Sequence, residues 1–127
     1  MFIRRFDELD QYQPPHHSGT VNRRICGPTD GVGDISVVRG TIEAGGSAHP
    51  HFHEHSDQLI FIISGQCRIR TADDSGILGS NDTAILRRAI VHHIEVLGDQ
   101  TLELLNVYLP ALASDDTYAA HLARFGD

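Results

Sequence analysis

Residues 49 to 55 read His49-Pro50-His51-Phe52-His53-Glu54-His55, with a histidine at every second position. Side chains on an extended strand alternate between its two faces, so a strand through this stretch would point all four imidazoles the same way. Neutral imidazole is the commonest protein ligand for Zn²⁺, Fe²⁺, Mn²⁺, Ni²⁺ and Cu²⁺. Four such rings crowded without an ion would set several groups that titrate near neutrality side by side. A divalent metal is the economical explanation. The competing one is a solvated histidine-rich edge in a chain that holds nine histidines.

Ligands of this kind need a scaffold, and most of the chain punctuates like an all-β domain. Short apolar runs alternate with clusters of Gly, Asp, Asn and Ser about every ten residues. The expected strands are 21–25, 35–42, 48–53, 58–63, 66–71, 83–86, 93–96 and 102–109, with turns at 31–34, 45–47, 64–65, 73–76 and 98–100. Eight strands of this length suit a sandwich or a small barrel. The stretch up to about Gly19, with Pro14-Pro15-His16-His17, reads as an arm before the barrel. At the other end Ser114-Asp115-Asp116-Thr117 offers an N-cap and first-turn acids, and Tyr118, Leu122 and Phe125 recur at helical spacing. A short helix over about 115–125, packed on the outside of the barrel, is expected there.

At 127 residues the chain is long enough for one domain with a core of its own. Lys and Arg total 10 against 17 Asp and Glu, a net charge of −7 that would repel nucleic acid or an anionic membrane. A small molecule or a second protomer is the expected partner. The first residues, Met1-Phe2-Ile3-Arg4-Arg5-Phe6-Asp7-Glu8, are charged and lack the apolar region of a secretory leader, and no window approaches the length of a membrane span. A cytoplasmic location is the expectation, and with it Cys26 and Cys67 as reduced, small hydrophobes.

The spacing around the histidines carries more. Gly45, five residues, His51, one residue, His53, four residues, Gln58, six residues and Gly65 form a gapped pattern that resembles the first motif of the cupin superfamily, with Gln58 where that family usually has Glu. The segment from Asn81 to His92 resembles the second motif in length, in its apolar run and in its closing histidine. It lacks the usual Gly at Asn81, Pro at Arg87 and Gly at Ala89. The resemblance implies a double-stranded β-helix, the cupin or jelly-roll barrel, over about residues 20 to 112 of a single domain. It also implies a divalent transition ion (Zn, Mn, Fe or Ni) on His51, His53, Gln58 and His92. Strand alternation is compatible with that set. It places His51 and His53 on the inner face and, after a turn over 54–57, turns Gln58, Ile60 and Ile62 inward and Leu59, Phe61 and Ile63 outward. An outer face that is also apolar needs a cover, which a homodimer partner or the terminal helix would supply.

Other polar residues have competing readings. His49 and His55 share the parity of the ligands but lie outside the motif positions, which suits a role at the rim, as a base beside a metal-bound oxygen. His55 or Asp57 could replace Gln58 as ligand, whereas His93 should point away from His92. Arg68, Arg70, Arg87 and Arg88, and the run Asn22-Arg23-Arg24, could bind a substrate carboxylate or simply face solvent.

An amide in place of a carboxylate leaves the ion its full double charge. That strengthens it as a Lewis acid and disfavours oxidation to a higher valence. The resemblance therefore implies an enzyme of lyase, cyclase or isomerase type acting on an enolate, dicarbonyl or aromatic substrate. An Fe(II)-dependent dioxygenase with the same ligands is the alternative enzyme. A metal-stabilised binding or sensor module without turnover is the alternative outside enzymes.

Overall fold

Apolar residues at every second position, interrupted by glycine and Asx turns, fold into nine strands in the computed structural model, which describes residues 1, 3–14 and 16–112. They are β1 (Gln11–Tyr12), β2 (His17–Cys26), β3 (Ser36–His51), β4 (Asp57–Ser64), β5 (Gln66–Arg70), β6 (Ser75–Leu78), β7 (Thr83–Leu86), β8 (His92–Leu97) and β9 (Leu102–Leu109). Two single 3-10 turns, Phe6–Glu8 and Pro28–Asp30, are the helical elements among the described residues. All pairings are antiparallel, in the order β6-β5-β8-β3-β9-β4-β7, with β2 on β3 and β1 on β2. The result is a nearly closed antiparallel barrel.

Strand β3 belongs to both walls. Its first half pairs with β2 and β9, and its second half with β8, so the turn expected at 45–47 is instead a bend within one continuous strand. Two glycines make the bend. Gly45 sits at φ +82°, and a Cβ on Gly46 would lie 2.6 Å from the Ser18 carbonyl oxygen. Three further expectations change. His17 lies in β2 and not in an arm, while Gln11–Tyr12 ties the preceding segment to that strand. Residues 75–78, partly assigned to a turn by the sequence, form β6 against β5. The helix expected over about 115–125 lies outside the described residues.

The core is the inward row of each strand. Ile60 and Ile62 of β4 meet Ile42, Cys67, Ile69, Ile94, Leu102 and Leu104 inside the barrel. Full burial of an aliphatic side chain contributes roughly 1.5–3 kcal/mol relative to leaving it in water, so this row sets strand register. Cys26 and Cys67 are both free thiols, and burial pushes the Cys67 thiol up to about 11, so it packs as a small hydrophobe. No helix among the described residues is long and apolar enough to cross a membrane.

Candidate metal centre

At one end of the barrel β3 stops at His51, β4 starts with Asp57-Gln58 and β8 starts at His92. His51 faces His92 in the β3–β8 register, and Gln58 faces Tyr108 of β9. His53 stands two residues beyond the strand, in the loop before β4, and is buried like the others. The three imidazoles converge. Ring centroids are 4.5 Å apart for His51–His92, 5.1 Å for His51–His53 and 5.4 Å for His53–His92, and one nitrogen of each lies within 4.8 Å of the others.

Backbone carbonyls fix which nitrogens face inward. His51 Nδ1 is 2.7 Å from the His49 carbonyl oxygen and His92 Nδ1 is 3.0 Å from that of Ile90. A carbonyl only accepts, so in the neutral rings Nδ1 carries the proton and Nε2 the lone pair. Metal-binding histidines are commonly held in this way by their second nitrogen. Gln58 is held by its other atom. Its Nε2 donates to Asn106 Oδ1 at 2.8 Å and to Tyr108 Oη at 3.3 Å, while Oε1 is buried and accepts no hydrogen bond. A buried carbonyl oxygen without a donor is costly unless something else satisfies it, and a cation does so. Three converging imidazoles, two of them oriented by backbone carbonyls, and one such oxygen therefore fit a borderline divalent ion.

The other candidates of the sequence lie elsewhere. Strand alternation breaks between Ala48 and His51, both buried, because a register shift falls there and leaves His49 and Pro50 both exposed. Pro50, without an N–H for the ladder, sits inside that irregularity. His49 still contributes its carbonyl to His51, and its ring lies 3.2 Å from Ser47 Oγ. His55 is exposed, 3.7 Å from the Glu54 carboxylate. The four imidazoles expected on one face are thus two inside and two outside. Asp57 accepts the Arg88 backbone N–H at 2.8 Å and lies 3.3 Å from its guanidinium, and the Arg88 side chain followed by that N–H holds its carboxyl below the usual range. Arg68 and Arg70 share Glu95, and Arg23 donates to the Phe6 carbonyl.

Sequence reasoning missed His17, Asn106 and Tyr108. His17 of β2 packs against His51, ring centroids 5.5 Å apart, and its Nδ1 is 3.1 Å from Thr20 Oγ1. Asn22, Asn106 and Tyr108 join it around a cavity of about 20 Å³ beside His51, Gln58 and His92, whose apolar wall includes Ile42, Ile94 and Leu104. Gly40 opens the space for Asn22, since a Cβ there would lie 2.5 Å from Asn22 Oδ1. The available signal was a polar residue at an inward position, Asn106 among Leu104, Leu105 and Val107, and Asn22 beside Val21.

The Cupin domain family model matches residues 38–108. No curated protein matches the sequence. The solved structures that superpose include three with known names. The polyketide cyclase RemF from Streptomyces resistomycificus has a TM-score of 0.73 at 20% identity, over 85% of this chain and 78% of that one. Ectoine synthase from P. lautus gives 0.78 at 14%, over 94% and 85%. KdgF from Halomonas sp. gives 0.71 at 19%, over 87% and 94%. At these identities the likeness is one of fold.

Proposed function

This chain belongs to the cupin family, and on that premise we propose that it is a metal-dependent enzyme. Its substrate is a small oxygen-rich molecule, an enolate, dicarbonyl or aromatic compound, and its chemistry is Lewis-acid chemistry of the lyase, cyclase or isomerase kind. The observation that carries the reading is the convergence of His51, His53 and His92 beside an undonated Gln58 Oε1. The names of the structural neighbours, a polyketide cyclase and an ectoine synthase among them, agree with an enzyme of small molecules.

When bound, the ion supplies a positive charge that polarises a carbonyl or enolate oxygen. Every ligand in the set is neutral, so none of that charge is cancelled. The side chains do the rest. Ile42, Ala48, Ile94 and Leu104 line the cavity with hydrocarbon and lower its dielectric. A space of about 20 Å³ holds little more than a water molecule, so the body of the substrate stays in the mouth of the barrel. Thr20 Oγ1 donates to the Ser18 carbonyl at 3.3 Å, so it accepts from His17 Nδ1 and leaves the His17 lone pair on Nε2. His17 lines the cavity, whereas His49 and His55 are exposed, so His17 Nε2 is better placed to take a proton from a substrate there.

Elemental analysis of freshly purified protein tests the site. We expect about one transition ion per chain, lost in His51→Ala and in His92→Ala. Protein that stays metal-free after incubation with Zn²⁺, Mn²⁺, Fe²⁺ and Ni²⁺ overturns it. Turnover of diketones or α-keto acids without oxygen uptake supports Lewis-acid chemistry. Oxygen consumption with catechols would make the protein a dioxygenase, and tight binding without turnover would make it a sensor.

A further inference from the structure

The strand order runs from β6 to β7, and these two ends do not pair with each other. They face across a cleft of about 300 Å³, floored by Ile69, Leu78, Ala84 and Leu86. Gly76 of β6 lines it. A Cβ at that position would meet nothing within 4 Å, and its backbone is outside the left-handed region, so the strand itself does not require glycine there. A dry apolar cavity of about 150 Å³ holds a benzene ring, so this cleft has room for a body of about two rings. Its rim is charged at both ends. Arg87, with a side chain 82% exposed and its Nε 4.0 Å from the Asp57 carboxylate, lies on loop 87–91, and Asp74 lies toward the opposite turn.

The same loop reaches the candidate ligands. Arg87 and Ile90 line the cleft, while the Ala89 N–H donates to the His53 carbonyl at 2.7 Å and the Ile90 carbonyl accepts from His92 Nδ1 at 3.0 Å. Leu86, on the cleft floor, faces Gln58 in the β4–β7 register. A body pressed against this loop therefore acts on the backbone groups that hold the His92 imidazole and the His53 main chain.

We propose that the cleft between β6 and β7 binds an apolar, ring-sized organic anion with its charge at Arg87, and that loop 87–91 couples its occupancy to His53 and His92. The first half stands on the cleft alone, and the coupling rests on the metal reading above. Fluorescence titration of the metal-free, full-length chain with 8-anilinonaphthalene-1-sulfonate tests the site. Saturable binding is expected, weakened about tenfold or more by Gly76→Val and by Ala84→Leu, weakened by Arg87→Gln and not weakened by Asp74→Asn. Absence of saturable binding, or full binding by both filled variants, overturns the site. The cobalt-loaded protein tests the coupling, because the visible spectrum of Co²⁺ reports its ligand geometry. A spectral shift at probe saturation supports the coupling. An unchanged spectrum overturns it while leaving the site, and failure to take up cobalt removes the coupling together with the metal reading.

Discussion

In the proposed metal centre Gln58 is the ligand that would set the charge, and its neighbours engage its Nε2 and leave Oε1 for an ion. Gln58→Glu keeps the shape and adds a negative charge, so metal should be retained or bound more tightly while its strength as a Lewis acid falls. Asn106 can accommodate the change by turning its amide to donate, and Tyr108 Oη can donate as well. Turnover by Lewis-acid chemistry should then drop by a large factor, whereas iron- and oxygen-dependent activity, if present, should persist or rise. A variant with unchanged metal affinity and unchanged activity would remove Gln58 from the ligand set. Asn106→Leu probes the hold from behind. Losing the 2.8 Å bond frees the amide to rotate, and metal affinity measured by chelator competition should weaken about tenfold to a hundredfold with the fold retained. The spacing from Gly45 to Gly65 made three of the four candidate ligands legible, because they stand close in sequence, from the end of β3 through the loop to the start of β4. Asn106 lies 48 residues from Gln58, and only the register of β4 on β9 brings the two together.

Loop 87–91 shows how an element can keep a conformation that its sequence does not favour. Asn81 and Ala89, the two positions where the second cupin motif usually has glycine, have φ of +71° and +64°. Asn tolerates the left-handed region, but a Cβ on an alanine there costs roughly 1–2 kcal/mol. Ala89 stays because its N–H is held by His53 and its neighbour's by Asp57. Ala89→Gly should therefore raise stability by about 0.5–1 kcal/mol in denaturant titration, after allowing for the extra freedom of glycine in the unfolded chain, and Asn81→Gly by less. A loss of stability in Ala89→Gly would show that the methyl group has a packing role. The departures from the motif were legible in the sequence, whereas the backbone they occupy was not. The same holds for the end of β3, where period-two reasoning gave His49 and His55 the parity of His51 and His53, whereas the register shift between Ala48 and His51 leaves His49 exposed.

Across the whole molecule, the outer face of the larger wall is the unfinished surface. In register across four strands stand Ile85, Leu59, Val107 and Val37, an apolar row with charge absent from its length. The N-terminal segment covers part of this wall, since the Phe6 ring lies 4.5 Å from the Arg23 guanidinium and 5.2 Å from that of Arg39. Nothing among the described residues similarly caps the β7 side, where Ile85 is 69% and Leu109 57% exposed. Alternation along β4 put Leu59, Phe61 and Ile63 outward in the sequence reading, and they are half-buried, so pattern alone identified the face but not how far it is covered. A patch of this kind on an antiparallel wall suits a self-complementary twofold contact. Sedimentation should give about twice the 14.0 kDa chain mass, and Leu59→Glu should return the chain mass with metal content unaltered, because the change points away from the cavity. The rival cover is the segment 113–127, with Tyr118, Leu122 and Phe125 at helical spacing. Removing it separates the two. If the full chain sediments as a monomer at micromolar concentration and the chain ending at Leu112 as a dimer, the terminal segment covers the row and the homodimer is wrong for the intact protein.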